Sequence, residues 1–225
     1  MPAARPFIFV LAGVNGAGKS SVGGALLAEH GLTWFNPDSY ARELVAVTGS
    51  DQTQANARAW NAGRERLEQA ISQQTSFALE TTLGGDTITA LLARAAATHD
   101  VVMIYCGLAS PQMHVERVRL RVQHGGHDIP EAKIQERWIA SRANLIRLLP
   151  RLTRLQVFDN SAAAHTDGRI PDPVLILDMQ GGQVILPDRS DAQALAQVPA
   201  WARSIVEAAL AHHDSRTGNE RNPAT

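Results

Sequence analysis

Residues 13–20 read Gly13-Val14-Asn15-Gly16-Ala17-Gly18-Lys19-Ser20 and match G-x-x-x-x-G-K-S/T, the pattern of a phosphate-binding loop (P-loop). Glycines allow successive backbone N–H groups to curl around a phosphate, because no Cβ stands in the way. Lys19 is expected to hold the β- and γ-phosphates, and Ser20 to offer its hydroxyl to Mg²⁺. The pattern predicts a nucleoside triphosphate site formed by Gly13, Asn15, Gly16, Ala17, Gly18, Lys19, Ser20 and Ser21.

The residues around this loop agree with the prediction. Residues 7–11 form a short apolar run that is typical of a buried parallel strand, and residues 21–30 are expected to form a helix. The alternative is an ordinary glycine-rich turn between a strand and a helix. Only two of the 21 basic residues are lysines, Lys19 and Lys133. A chain that favours arginine therefore keeps lysine where a compact charge suits the phosphates.

Composition limits the classes of protein that the chain can represent. With 225 residues, 44% of them hydrophobic and 19% charged, we expect one globular domain over residues 1–213 and a disordered polar tail over 214–225. The net charge of −1 argues against a general nucleic-acid partner, and no apolar run approaches the ~20 residues that would span a membrane. Without a signal peptide, and with Cys106 as the single cysteine, the chain is expected to be cytoplasmic.

Strand and helix patterns alternate along the chain, which predicts an α/β fold with a mostly parallel sheet and helices on both faces. Strands are predicted over residues 7–11, 32–35, 76–80, 101–106 and 155–158, with a C-terminal hairpin formed by 174–177 and 183–186. Helices are predicted over 21–30, 39–47, 52–74, 87–98, 111–124, 131–149 and 199–212, with a loop over 162–173. In the helix over 52–74 we expect an apolar face made of Ala57, Trp60, Leu67 and Ile71.

Polar residues follow several of the predicted strands. Ligands of parallel sheets bind at the carboxyl ends of the strands, so these residues should meet at one edge. Asp38 is the candidate general base that would take the proton of an acceptor hydroxyl, although its position also suits a helix N-cap. Glu80 is expected to bind the acceptor or a metal-bound water, unless it is a solvated strand end. Thr82 would donate to the substrate or cap the next helix, and Asn160 is a candidate for adenine recognition.

Residues 114–154 are basic, with nine arginines and lysines against four acidic residues. A helix, the Gly125-Gly126 turn and a second helix predict a lid that brings Arg117, Arg121 and Arg137 to the transferring phosphates. The alternative is a solvated helix face, which we expect for Arg119. His124 and His127 are interpreted as lid-loop residues and not as zinc ligands, because no third ligand is near them.

Taken together, these motifs resemble the zeta toxin family over roughly residues 7–161. The matching segments are Ala12 to Ser21, Asn36-Pro37-Asp38, Glu80-Thr81-Thr82-Leu83, Arg117-Val118, Arg121-Val122, Gly125 to Pro130 and Asp159-Asn160-Ser161. The interval from Arg121 to Arg137 is wider here than in the large plasmid-borne toxins, and it contains a glycine-rich insert.

The resemblance implies a P-loop kinase fold and a phosphotransferase that depends on ATP and Mg²⁺. In the best-known members the acceptor is the 3′-hydroxyl of UDP-N-acetylglucosamine, and the partner is an antitoxin protein. It implies that Lys19 and Ser20 hold the phosphates and the metal, that Asp38 is the base, that Glu80 and Thr82 bind the acceptor, and that the lid arginines contact the phosphoryl group. The alternative function is a P-loop ATPase that acts as a nucleotide-dependent switch or interaction module.

Overall fold

The computed structural model describes residues 4–29, 33–163 and 171–220. Within these ranges the strands are β1 (Phe7–Ala12), β2 (Phe77–Thr81), β3 (Asp100–Gly107), β4 (Arg154–Asp159), β5 (Val174–Gln180) and β6 (Gln183–Leu186). The α-helices are α1 (Lys19–Glu29), α2 (Pro37–Thr48), α3 (Gln52–Gln73), α4 (Asp86–Ala95), α5 (Pro111–Gln123), α6 (Glu131–Leu148), α7 (Ala192–Ala196) and α8 (Arg203–Glu220). Two 3₁₀ turns cover Leu149–Arg151 and Ala200–Ala202.

All six strands belong to one sheet with the order β2-β1-β3-β4-β5-β6. The first four strands in this order are parallel, and β5 and β6 continue the sheet as an antiparallel hairpin. In the central register Val10 lies opposite Leu79 on one side and Met103 on the other. This arrangement confirms the predicted α/β fold and its C-terminal hairpin. It also places the glycine loop at the carboxyl edge of the sheet, between the ends of β2 and β3.

Strand β1 shows how the two faces of the sheet are covered. Ile8 and Val10 are buried in a large apolar cluster with residues of α3, α4, α6 and α8. Leu11 is buried on the other face in a smaller cluster that Val22 of α1 packs against. Cys106 belongs to this smaller cluster, and burial raises the pKa of its thiol to about 12, so it is an inert apolar residue. Helices therefore cover both faces, as the pattern predicted.

The predicted strand over 32–35 is wrong as a strand, and Leu32 lies outside the described residues. Phe35 makes a single parallel bridge to Leu79. Its N–H donates to the Ala78 carbonyl at 2.8 Å, and its carbonyl accepts from the Glu80 N–H at 2.8 Å. Phe35 therefore lies beside β2 and adds one paired residue at that edge of the sheet. The chain that follows it still enters α2 at the carboxyl edge of the sheet.

Helix α3 buries a different face from the predicted one. The buried residues are Ala55, Ala59, Gly63, Leu67 and Ala70. Ala57 and Trp60 are exposed, so their assignment to the apolar face is wrong. The buried residues are mostly small and recur every three or four positions, which leaves little room for a large aromatic side chain. At Gly63, for example, a Cβ would lie 2.7 Å from Cε1 of Phe35.

The C-terminal region departs from the prediction in its last helix. Helix α8 continues to Glu220, past residue 214 where we expected the polar tail to begin. It packs beside β6, and the Val184 N–H donates to Nδ1 of His213 at 2.9 Å. The short helix α7 was not predicted, and residues 164–170 of the predicted loop lie outside the described ranges. None of the helices in the described ranges is long and apolar enough to span a membrane.

Candidate active site

The loop over residues 13–18 connects β1 to α1 and approaches its neighbours closely. Gly16 and Gly18 have φ angles of 82° and 85°, which side chains other than glycine rarely adopt. A Cβ at Gly16 would lie 2.9 Å from the His114 carbonyl oxygen, and one at Gly18 would overlap the amide nitrogen of Asn160. The two glycines are therefore needed both for their φ angles and for the close packing of the loop.

Lys19 is the first residue of α1, and its side chain is only 8% exposed. Its Nζ lies 3.5 Å from the Val14 carbonyl oxygen and 3.5 Å from Oε1 of Glu80. The ammonium group is thus held beside the loop at the positive end of a helix. The site thus combines a glycine-rich loop, a buried lysine and a helix N-terminus. Together they fit the phosphates of a nucleoside triphosphate.

Glu80 connects three elements at the end of β2. Its Oε2 accepts hydrogen bonds from Ser20 Oγ and Asn36 Nδ2, each at 2.9 Å, while Oε1 faces Lys19. The residue is only 9% exposed, so the alternative of a solvated strand end is wrong. A serine hydroxyl beside a buried carboxylate is an oxygen donor set of the kind that Mg²⁺ prefers, and these residues fit that ion.

Asn36, and not Asp38, is the N-cap of α2. The Asn36 Oδ1 accepts hydrogen bonds from the backbone N–H groups of Asp38 at 2.9 Å and of Ser39 at 3.2 Å. The interpretation of Asp38 as the cap is therefore wrong, and its carboxylate is not used for capping. The sequence analysis did not identify Asn36 as the cap, although asparagine before a proline is a recognisable helix start.

The Asp38 carboxylate faces the segment that we predicted to be a lid. Its Oδ2 lies 3.5 Å from Nη1 of Arg121, and its Oδ1 lies 3.9 Å from Nε2 of His127. Arg121 also donates from Nη2 to the His127 carbonyl at 3.3 Å. Asp38 is 39% exposed, so an acceptor could reach it from solvent.

The lid segment, residues 111–148, consists of α5, α6 and the loop between them. Its apolar side packs on the glycine loop through a cluster of Val14, Val115, Val118, Ile129 and Ile134. The segment is thus held against the nucleotide loop by apolar contacts as well as by its charged side chains.

The basic side chains of the lid segment have different positions. Arg137 donates from Nη1 to Oδ1 of Asn15 at 2.8 Å, so it contacts the glycine loop directly. Arg119 is exposed and pairs with Glu131, as we expected for a surface residue. His124 is exposed, and its Nδ1 donates to the Leu120 carbonyl.

Arg117 and Asn160 are linked by hydrogen bonds that lead to the Ala17 carbonyl of the glycine loop. Arg117 donates from Nη2 to the Asn160 carbonyl at 2.6 Å, and Asn160 donates from Nδ2 to the Ala17 carbonyl at 2.9 Å. Burial lowers the pKa of Arg117, while the nearby Asp159 opposes this change. Arg117 therefore contacts Asn160, and Asn160 itself contacts the loop.

His114 is a second residue that sequence reasoning missed. It is buried on α5, where its Nδ1–H donates to the Asn15 carbonyl at 2.8 Å. Burial lowers its pKa from 6.5 to about 4, so the imidazole is neutral near pH 7. The available signal was its spacing from Arg117 and Arg121, which places all three on one face of the helix.

One cavity of about 480 Å³ joins these groups. Its lining includes the predicted site residues Asn15, Lys19, Asp38, Glu80, Thr82 and Arg137, together with His127. The Thr82 Oγ1 accepts from the Gly84 N–H at 3.4 Å and makes no capping bond to α4, which begins after Gly85. Arg117, Arg121 and Asn160 are not among the lining residues. Among the described residues, no three His, Cys, Asp or Glu side chains are grouped to hold a metal ion by themselves.

The sheet order, the glycine loop and the helical lid segment define a P-loop kinase-like α/β protein. A family model described as an AAA domain matches residues 8–144, which are more than half of the chain, and the chain belongs to that family. No curated protein sequence matches it.

Similar solved structures agree with this assignment of the fold. The complex AvrRxo1-ORF1:-ORF2 with ATP is 17% identical, with a TM-score of 0.60 over 94% of this chain and 81% of that chain. A structure of the PezAT chromosomal toxin–antitoxin system of Streptococcus pneumoniae is 14% identical, with a TM-score of 0.53 over 96% of this chain and 88% of that chain. The resemblance to zeta toxins is confirmed at the level of the fold.

Proposed function

We propose that this protein is an ATP-dependent kinase of the zeta toxin type that phosphorylates a hydroxyl group of a nucleotide sugar similar to UDP-N-acetylglucosamine. The observation that carries the proposal is that Lys19, Glu80 and Asp38 line one cavity. A phosphate-holding lysine, a carboxylate next to the serine hydroxyl and a second, partly exposed carboxylate are the groups that phosphoryl transfer to a hydroxyl requires.

Each residue has a separate task in the proposed reaction. Lys19 and the loop N–H groups stabilise the charge on the phosphates, and Arg137 adds a cation from the lid segment. Ser20 and Glu80 would hold Mg²⁺, which supplies further positive charge at the phosphates. Asp38 orients the acceptor hydroxyl and takes its proton. A bond forms from the acceptor oxygen to the γ-phosphorus, the bond to the β–γ bridging oxygen breaks, and ADP leaves with the bonding electrons.

The lid segment offers a way to keep the phosphoryl group from being transferred to water. In the present arrangement Arg121 pairs with Asp38, so the proposed base is neutralised before an acceptor arrives. We propose that acceptor binding replaces this pair and frees the carboxylate to take a proton. Transfer to water would then be slow without acceptor, because the base is engaged by the lid.

Two further parts of the proposal concern the cellular setting. The AvrRxo1 and PezAT structures are a two-protein complex and a toxin–antitoxin system, respectively. By analogy we propose that an antitoxin-like protein binds this chain. Because the proposed donor is ATP, we also propose that it acts in the cytoplasm.

The proposal is tested by incubating the protein with γ-labelled ATP and a panel of UDP-sugars and following the label. The Asp38→Asn variant removes the base, and Asp172→Asn is the matched control at an exposed aspartate. Label in a sugar nucleotide with wild type and Asp172→Asn, but not with Asp38→Asn, supports the kinase. Label only in free phosphate, at the same rate in all three proteins, contradicts it and favours the nucleotide-dependent switch.

A further inference from the structure

Trp60 differs from the other aromatic residues of the chain. The sequence contains 4 Trp, 2 Tyr and 5 Phe, and all of them lie in the described ranges. Of these aromatic side chains only that of Trp60 is exposed, with 47% of its surface accessible. Tryptophan is the largest apolar side chain, and an exposed one inside a concave site suggests contact with a ligand.

The exposed side chain of Trp60 lines the cavity described above. Trp60 lines this cavity together with Lys19, Asp38 and Glu80. One turn earlier on α3, Asn56 lines it as well, and its Oδ1 accepts a hydrogen bond from Gln52 Nε2 at 2.9 Å. Asn56 can offer a ligand its amide N–H groups as donors, and its Oδ1 keeps a second lone pair. An aromatic ring and an amide donor at adjacent positions suit a planar heterocycle with polar edges.

The position of Trp60 favours the acceptor over the adenine of ATP. The glycine-loop residues that line this cavity are Asn15 and Lys19, which contact the phosphate end of a bound nucleotide. Gly18 and Asn160, at the junction of the loop with β4, are not among its lining residues. The cavity thus extends from the proposed phosphate site past Asp38 to α3, in the direction that an acceptor would occupy.

We propose that Trp60 stacks on the base of a nucleotide-type acceptor whose hydroxyl lies at Asp38. This inference rests on the proposed function and deepens it, because it assigns recognition of the acceptor's base to Trp60. Stacking of a base on an aromatic side chain contributes enough that its loss weakens binding by about tenfold or more. A sugar or sugar phosphate without a base would not gain this contribution.

The test compares Trp60→Ala, Trp60→Phe and wild type by calorimetric titration. The ligands are UDP-N-acetylglucosamine, UMP and N-acetylglucosamine 1-phosphate, and ATP is titrated separately. Val47→Ala is the control, because Val47 is an apolar residue of α2 that is 85% exposed and does not line the cavity. We expect Trp60→Ala to weaken binding of both uridine nucleotides about tenfold, with ATP affinity unchanged within about twofold. Trp60→Phe should retain most of the affinity, and the ligand without a base should respond to neither substitution.

Several outcomes would overturn the inference. Equal affinity of Trp60→Ala and wild type for the uridine nucleotides, or no binding of either to wild type, would do so. A loss of ATP affinity equal to the loss for the uridine nucleotides would assign Trp60 to the donor instead. These titrations need no turnover, so they are separate from the label-transfer test. A protein that transfers label but ignores Trp60→Ala retains the proposed function and loses this inference.

Discussion

The two sides of the cavity are held in different ways. On the loop side, Asn15 and Lys19 are 6% and 8% exposed, and both have polar contacts to neighbouring elements. On the acceptor side, Asp38 is 39% exposed and Trp60 is 47% exposed. Buried and bonded groups are preorganised, whereas Trp60 would gain a partner, and Asp38 would exchange Arg121 for the acceptor, when a ligand arrives. We infer that the donor side is fixed for a common triphosphate and that the acceptor side determines specificity.

Replacing Lys19 is expected to have the largest effect, because it removes the buried cation of the loop side. Lys19→Met should lower phosphoryl transfer by about a thousandfold or more, as expected when charge stabilisation of the phosphates is lost. Turnover of labelled ATP measures this effect, and circular dichroism checks that the variant is folded. Arg58→Met is the control, since Arg58 is an exposed basic residue of α3 that does not line the cavity. Wild-type turnover in Lys19→Met would contradict the assignment of the donor side.

His114 is buried and bonded to the glycine loop, and from this we predict that the stability of the fold depends on pH. The folded protein keeps His114 neutral down to about pH 4, whereas the unfolded chain takes up a proton below about pH 6.5. The neutral form of His114 therefore contributes fully to the free energy of unfolding above pH 6.5. This contribution, about 3 kcal/mol, is lost as the pH falls towards 4. Urea unfolding at several pH values measures it.

The control for this prediction is a substitution that keeps a donor but does not titrate. His114→Asn should be less stable than wild type near pH 7, and this difference should shrink as the pH falls towards 4. His124→Asn, at an exposed histidine of the same segment, should leave the pH profile unchanged. A constant difference between His114→Asn and wild type over this range would contradict the role of burial.

The lid arginines offer a comparison within one segment. Arg137 lines the cavity and contacts Asn15, whereas Arg119 pairs with Glu131 at the surface. Arg137→Ala should reduce kcat about thirtyfold, which corresponds to about 2 kcal/mol, because a cation near the phosphates is lost. Arg119→Ala should change kcat by less than about twofold, since exposed ion pairs contribute little. Equal effects of the two substitutions would contradict the proposed closure of the lid on the phosphates.

The smallest effect is expected at the cap of α2. Asn36→Ala and Asp51→Ala each remove an N-cap, from α2 and α3, and each should cost about 1 kcal/mol of unfolding free energy. Only Asn36→Ala should also slow phosphoryl transfer, because Asn36 donates to Glu80. Thermal unfolding and label transfer on the same samples separate the two contributions. A similar loss of transfer in both variants would mean that stability alone explains the effect.

Much of the fold could be predicted from the sequence, because its signals are local. The glycine loop is a contiguous motif, and parallel strands place the residues after β1 and β2 at one edge. Glu80 was predicted at the end of β2, Asp38 after the run over 32–35, and Arg137 on the second helix of the lid. All three line one cavity. The strand over 32–35 was overpredicted because an apolar run does not reveal that, of the described residues 33–35, only Phe35 pairs with a neighbour.

The features that escaped prediction depend on contacts between distant parts of the chain. The bond of His114 to Asn15 joins residues 99 positions apart. The spacing of His114 from Arg117 places both on one helix face, but it does not reveal this distant partner. The exposure of Trp60 depends on which face of α3 packs against its neighbours. Ala55 and Ala59 pack with Ala41 of α2, and Gly63 lies against the Phe35 ring. Helical spacing alone favours large apolar side chains for the buried face, and here that rule fails.

The most direct test of the central claim is single-turnover transfer by Asp38→Asn, with ATP affinity measured on the same sample. We predict that ATP affinity stays within about twofold of wild type while the rate of label transfer to the acceptor falls at least a hundredfold, because only proton removal is lost. Transfer at the wild-type rate in this variant would contradict the account, since it would show that Asp38 is not the base that serves the cavity.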